Sequence, residues 1–298
     1  MLQRYDERNA EIRYWVNGVL RHRDEPGLSP FDSVVQGGDA VWEGLRLYDG
    51  KIFALDAHLA RLRRSAKALA FADIPSDSDI TRAVRETLTA NDMRDGVHIR
   101  LTLSRGVKLT SGMDPRLNTA GCTLVVLAEH KPPVYDTGGL TLITASVRRP
   151  GADVLDPKIH HANLLNSILA KIEANVAGAD DALMLDPRGF VAETNATHLF
   201  AVTGGELITP RTVACPEGIT RDTVLHIAPN AGIPVTVRDV SLVEMYNADE
   251  VFCTGTMGEL AAVTTIDGRT IGTGQSGPVT GKLAALYQEH AKTHAKPL

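Results

Sequence analysis

The chain has 298 residues, of which 43% are hydrophobic and 22% charged, an ordinary composition for a soluble globular protein and a length that allows two ordinary domains. A net charge of −5 and a pI near 6.1 exclude a general electrostatic footprint for nucleic acid or an anionic membrane, so any bound anion needs a local site. Three widely spaced cysteines, Cys122, Cys215 and Cys253, form no metal-ligand pattern and read as buried thiols of a reducing compartment. The polar N-terminus and the lack of an apolar run near the roughly 20 residues of a membrane span make the cytoplasm the expected location.

In chain order, residues 11–21 read as a hairpin, with Asn17-Gly18 forming a tight turn between β-rich flanks. Val41–Tyr48 alternates like a strand, turns at Asp49-Gly50 and pairs back through Ile52–Leu55. Asp56 is expected to cap a helix in which Leu59, Leu62, Ala66 and Leu69 recur at helical spacing among Arg61, Arg63, Arg64 and Lys67. A second amphipathic helix covers 78–91, and strands cover 97–104 and 122–128, separated by a loop rich in turn formers. Lys131-Pro-Pro-Val-Tyr-Asp-Thr-Gly-Gly139 stops helix and strand alike. Residues 131–139 are therefore expected to link a small N-terminal α+β domain (1–130) to a larger mixed α/β domain (140–298). In the latter, strands near 140–147, 182–186, 198–203 and 250–254 alternate with helices near 162–177, 220–231 and 278–292. The order implies a mixed α/β (α+β) fold, and no Gly-x-Gly-x-x-Gly follows a strand.

Four stretches carry chemistry. Leu155–Lys171 sets Lys158, His160, His161 and Asn163 ahead of an apolar helical run, and basic nitrogens there need partners or a task. Pro216–Arg221 opens a helix whose Gly218, Ile219 and Thr220 offer backbone N–H groups at its positive end, either as an anion cup or as plain capping by threonine. Cys253–Gly258 is a second turn rich in hydroxyls. Glu193 sits among apolar and uncharged neighbours, as the partner of a buried cation or as an exposed strand-end carboxylate.

Together these stretches resemble the class IV, fold-type IV pyridoxal-phosphate aminotransferases, closest to the branched-chain type. The likeness runs through Trp15–Gly18, Gly38–Gly44, His58–Leu62, Lys158–Ala174, Glu193 with its Thr-Asn-Ala-Thr follow-up, Gly218–Arg221, Thr254–Thr256 and Gly277–Thr280. The resemblance implies two domains, the second a pseudo-barrel, with the site in the cleft between them. It implies pyridoxal 5'-phosphate as cofactor and no metal. Its phosphate would be held by Arg61, Thr256 and the Gly218-Ile219-Thr220 main chain, and its pyridine nitrogen by Glu193. Gly37, Trp42, Arg100 and Met257 fall on the substrate side, with Gly37 where a bulky aromatic is usual and Trp42 where Phe or Tyr is usual. Ser111 stands where the fungal amine transaminases carry arginine. A homodimer or higher homo-oligomer is implied, because a loop at 106–113 reaches the neighbouring subunit's site.

The resemblance implies amino transfer between a hydrophobic, branched-chain-like amino acid and 2-oxoglutarate through a lysine that forms a Schiff base with the cofactor. Lys158 is the only lysine before the helix, but ungapped spacing to Asn163 puts His160 at the lysine position. In an extended segment, residues i and i+2 share a side, which would let Lys158 serve from a shifted root. The alternative is a diverged homologue lacking the usual lysine, in which His160 serves proton transfer or elimination on a small carboxylate with non-covalent or no cofactor.

Overall fold

In the computed structural model, residues 5–132 and 138–298 are described. Part of the expected linker, 133–137, lies outside them. The chain divides into two compact units, and both are discontinuous in sequence.

Of the described residues, one unit comprises 5–132, 159–163 and 294–298. Strands β1 (Arg13–Val16) and β2 (Val19–His22) form the first hairpin, with Asn17 and Gly18 both at positive φ, as the tight turn requires. Helix α1 (Ser33–Gly37), β3 (Ala40–Tyr48), β4 (Lys51–Ile52), α2 (Leu55–Ala68), α3 (Asp77–Ala90), β5 (Val97–Ser104) and β6 (Thr123–His130) follow. The seven-stranded sheet runs Lys296–Pro297, β4, β3, β5, β6, β1, β2. Val41, Leu45 and Leu47 on β3 and Val97, Ile99, Leu101 and Leu103 on β5 join Leu59 and Leu62 of α2 and Ile80 and Val84 of α3 in one core. Period-2 alternation turns Trp42, Gly44 and Arg46 to the opposite face, beside their register partners Thr102, Arg100 and His98. Asp56 does not cap α2. The cap position falls two residues earlier, on Ala54 in the left-handed conformation with no side-chain cap, and Asp56 lies inside the first turn, where a carboxylate meets the dipole without capping.

The second unit comprises, of the described residues, 138–158 and 164–293. Its elements are β7 (Leu140–Thr144), α4 (Leu165–Val176), β8 (Asp181–Leu185), β9 (Val191–Thr194), β10 (His198–Thr203), β11 (Glu206–Pro210), α5 (Ile219–Asn230), β12 (Val235–Arg238), α6 (Leu242–Tyr246), β13 (Glu250–Gly255), β14 (Glu259–Ile266), β15 (Arg269–Thr270) and α7 (Pro278–His294). The sheet order is β12-β11-β10-β13-β14-β7-β8-β9, with β15 on β14. β7 runs parallel to β14 and β8, and β11 parallel to β12, while the other pairs are antiparallel, so the sheet is mixed. Helix α4 packs its small residues inward: Ala170 and Ala174 sit against Ala145, Ala179, Ala182 and Met184. Among the described residues no helix is long and apolar enough to cross a membrane.

Candidate active site

The segment Ile159–Asn163 lies along the free edge of β3. The Trp42 N–H donates to the His160 carbonyl at 3.0 Å, Ala162 N–H to the Ala40 carbonyl at 2.8 Å, and Val41 and His161 form an antiparallel bridge. An edge position lets one side chain touch both faces of the strand, and His160 does. Its ring stacks on Trp42 with centroids 4.4 Å apart, while its Nδ1 lies 3.4 Å from Glu43 Oε1 on the core face. Nδ1 also approaches the Trp42 carbonyl oxygen at 2.6 Å, and the His160 N–H donates to Ser65 Oγ at 3.0 Å. A carbonyl only accepts, so Nδ1 carries the hydrogen and Nε2 keeps its lone pair. Burial pushes the His160 pKa down, the Arg61 charge adds to that, and Glu43 and the Trp42 carbonyl oppose it without overturning it.

Glu43 is fully buried. Arg61 Nε donates to Oε1 at 2.8 Å and Nη2 to Oε2 at 2.6 Å, and His58 Nδ1 donates to Oε2 at 2.7 Å. Burial alone would raise the Glu43 pKa, but hydrogen bonds from Arg61, His160 and His58 hold it well below the ordinary carboxylate value. Two nitrogens of Arg61, a residue expected to bind phosphate, are thus engaged by Glu43.

On the other face of β3 the Arg100 guanidinium lies over the Trp42 ring, 3.6 Å from its centroid, and burial lowers its pKa to about 10. His98, two residues along, is buried, and neither ring nitrogen has a hydrogen-bond partner. Burial, with Lys131, Arg100 and Arg46 around it, lowers its pKa to about 3. His160, Trp42 and Arg100 therefore form one continuous stack, and the Arg100 charge is felt at His98. Gly37 ends α1 where an added Cβ would meet nothing within 4 Å.

Lys158, Glu193, Gly218, Ile219, Thr220, Thr256 and Met257 belong to the other unit. Glu193, on β9, is buried and takes a charged hydrogen bond from Arg149 Nη2 at 2.7 Å, and Arg149 is braced by Ser167 Oγ at 3.0 Å. His198 Nδ1 lies 4.0 Å from Glu193 Oε2. Glu193, His198 and Cys215 bring possible ligand atoms within 4.8 Å of one another, but the Arg149 charge on Glu193 and a thiol pushed up by burial oppose a cation there. α5 opens at Gly218 with no side-chain cap, which leaves the N–H groups of Ile219 and Thr220 for an anion. Thr254, at the end of β13, has a buried hydroxyl with no partner. Uncapped N–H groups, an orphaned hydroxyl and a buried carboxylate suit a phosphate ester on a protonated pyridine, so the residues present fit pyridoxal phosphate.

Lys158 is the least committed to this arrangement. The extended geometry that would let it share a side with His160 is absent: Asp156-Pro157 makes a turn in which Asp156 Oδ1 accepts the Lys158 N–H at 2.9 Å. Its ammonium pairs with Glu217 at 3.1 Å and its side chain is half-exposed.

Residues 40–266 match the family described as amino-transferase class IV. The chain belongs to that family. It is 41% identical over 280 residues to a putative branched-chain-amino-acid aminotransferase of Methanocaldococcus jannaschii, covering 93% of this chain and 96% of that one. It is 54% identical over 282 residues to branched-chain-amino-acid aminotransferase-like protein 2 of Arabidopsis thaliana, covering 94% of this chain but 50% of that protein. The chain thus spans about half the length of the two Arabidopsis relatives it matches. The fold superposes on the branched-chain amino acid aminotransferase from Thermobaculum terrenum in its PLP-form, with a TM-score of 0.85, 30% identity, and 96% of this chain and 95% of that one covered. These likenesses agree with the fold-type IV architecture expected from the motifs.

Glu43, His58, Arg149 and His98 were not singled out by the sequence, and Thr254 was noted there only as part of a motif. Glu43 and His58 lie inside the motifs that carry the family resemblance, so their spacing held a signal. Arg149 and His98 carry none, because only the folded chain brings Arg149 to Glu193 and buries the His98 ring.

Proposed function

We propose that this chain is a pyridoxal-phosphate-dependent transaminase moving an amino group between a hydrophobic, branched-chain-like amino acid and 2-oxoglutarate. The observation that carries this reading is the buried Glu193 held by Arg149, in the same unit as the uncapped start of α5 and the unpartnered Thr254 hydroxyl. Bound there, the cofactor would supply an electron sink for the pair left when the substrate Cα–H bond breaks. Glu193 would accept a hydrogen bond from the ring nitrogen and keep it protonated. The Ile219 and Thr220 N–H groups, the Thr256 hydroxyl and Arg61 would bind phosphate. Lys158 would be the lysine that joins the cofactor, and His160, neutral and with Nε2 bare, would assist by taking the substrate proton at that atom and returning it. Arg100 would orient a carboxylate of the 2-oxo acid, while Gly37, Trp42 and Met257 would shape the space for the side chain. The reading includes a cytoplasmic setting and a homodimer or higher homo-oligomer.

A second reading is favoured by Lys158, whose ammonium is engaged by Glu217 in a turn. Here no lysine joins the cofactor, and His160 alone moves protons, in transfer or elimination on a small carboxylate. Borohydride reduction of the protein with pyridoxal phosphate, followed by peptide mass spectrometry, separates the two. A tag on Lys158, with Lys158→Ala inactive in amino transfer, supports the first reading. No tag on any lysine, with Lys158→Ala active and His160→Ala inactive, supports the second.

A further inference from the structure

Glu43 has no part in the reading above, yet its fully buried carboxylate is heavily engaged. Three side chains from two segments converge on it: Arg61 in bidentate fashion, His58 at 2.7 Å and His160 at 3.4 Å. A buried carboxylate needs one good counter-ion, and Arg61 already supplies it. The contact with His160 is therefore surplus to charge balance and calls for another explanation.

That explanation follows from where the contact falls. Glu43 backs the Nδ1 edge of the imidazole, the edge opposite the lone pair at Nε2. When a proton arrives at Nε2 the ring becomes a cation, and the positive charge is shared with Nδ1–H, which donates to the Trp42 carbonyl and lies 3.4 Å from the carboxylate. A carboxylate placed there stabilises the imidazolium, as the buried aspartate does in a serine-protease triad. An unshared carboxylate would do more, because it would leave the ring charged at rest and useless as a base. Bidentate pairing with Arg61 draws off part of that field.

We propose that Glu43 is the positioning residue that tunes His160: it backs the imidazole as the counter-charge for a proton taken at Nε2, and its sharing with Arg61 keeps the ring neutral until that proton arrives. The groups facing His160 are Glu43 and the Trp42 carbonyl from β3, Arg61 and the Ser65 hydroxyl from α2, and Arg100 from β5 across the Trp42 ring, with His58 on the far side of the carboxylate. The functional meaning rests on His160 carrying a proton, but the tuning itself is a property of the full chain with or without turnover.

Nuclear magnetic resonance of the histidine ring nitrogens in the full-length, cofactor-loaded protein tests it, with the His160 signals assigned by their loss in His160→Gln. The wild-type ring is expected as the Nδ1–H tautomer. Glu43→Gln should lower the proton affinity of His160 by about tenfold, and Arg61→Gln should raise it by a similar factor. A merely structural Glu43 would change the melting temperature and leave the titration of His160 in place. An unshifted titration in Glu43→Gln overturns the proposal. If that variant does not fold, the wild-type spectrum still decides through the tautomer, because an Nε2–H ring removes the contact on which the tuning depends. Either failure leaves the cofactor-tagging result untouched.

Discussion

Gly218 shows how tightly the cofactor end of the site is built. Its φ of −79° is open to any residue, so space and not conformation selects glycine. An added Cβ would come within 2.3 Å of the His198 ring, which is itself buried beside Glu193. Gly218→Ala should therefore displace that ring, lower stability by about 1–3 kcal/mol and weaken pyridoxal phosphate binding, as read by denaturant unfolding and cofactor titration. The glycine was visible in the sequence as part of a possible anion cup, although the ring that packs against it was not. The same limit applies to Lys158, because spacing counts positions along the chain but cannot show that Asp156 folds the backbone into a turn and that Glu217 takes the ammonium.

Elements with strong periodicity were legible nearly to the residue. The alternating strands at Val97–Ser104 and His198–Thr203 stand where their patterns put them, and Asn17-Gly18 makes the expected hairpin. Short strands such as β9, β11 and β12 escaped notice, since four or five residues carry too few alternations to stand out. Helix α4 was foreseen with the wrong emphasis. Its apolar run suggested a buried helix, but only Ala170 and Ala174 are buried, while Leu165, Ile168, Leu169, Ile172 and Val176 all lie exposed. The alanines let the helix sit close on β8, and the large aliphatic side chains form a stripe on the outer side. A second copy of the chain is the partner expected to cover it, in keeping with the proposed homo-oligomer. Ile172→Glu, at an exposed position outside the buried alanine cluster, should shift the protein toward monomer in size-exclusion chromatography with light scattering.

At the scale of the whole molecule the two units do not follow a single cut in the sequence. Lys158 ends a stretch of one unit and Ile159 begins a stretch of the other, so the two candidate nitrogens, two positions apart, belong to different units. Composition breaks such as Pro-Pro and Gly-Gly cannot reveal this, because a five-residue excursion leaves no trace in hydropathy. Acid sensitivity is also set at this level. His98 is neutral in the folded chain down to about pH 3, whereas the unfolded chain takes up that proton near 6.5. The unfolded state thus binds more protons between these values, and this contribution to stability is complete above pH 6.5 and declines as pH falls toward 3. The slope is at most about 1.4 kcal/mol per pH unit. In His98→Gln, urea unfolding between about pH 6 and 4 should show stability less dependent on pH by roughly one proton.

The segment that carries His160 has a further consequence. By lying along β3 from Ala40 to Trp42, it occupies hydrogen-bonding groups that would otherwise form an open strand edge, with β4 covering Leu47 and Tyr48 further along. An open edge beside an apolar core is a template for pairing with other chains. The residues that bring His160 to the site also shield the sheet from aggregation, so selection on solubility and selection on chemistry act on the same five positions.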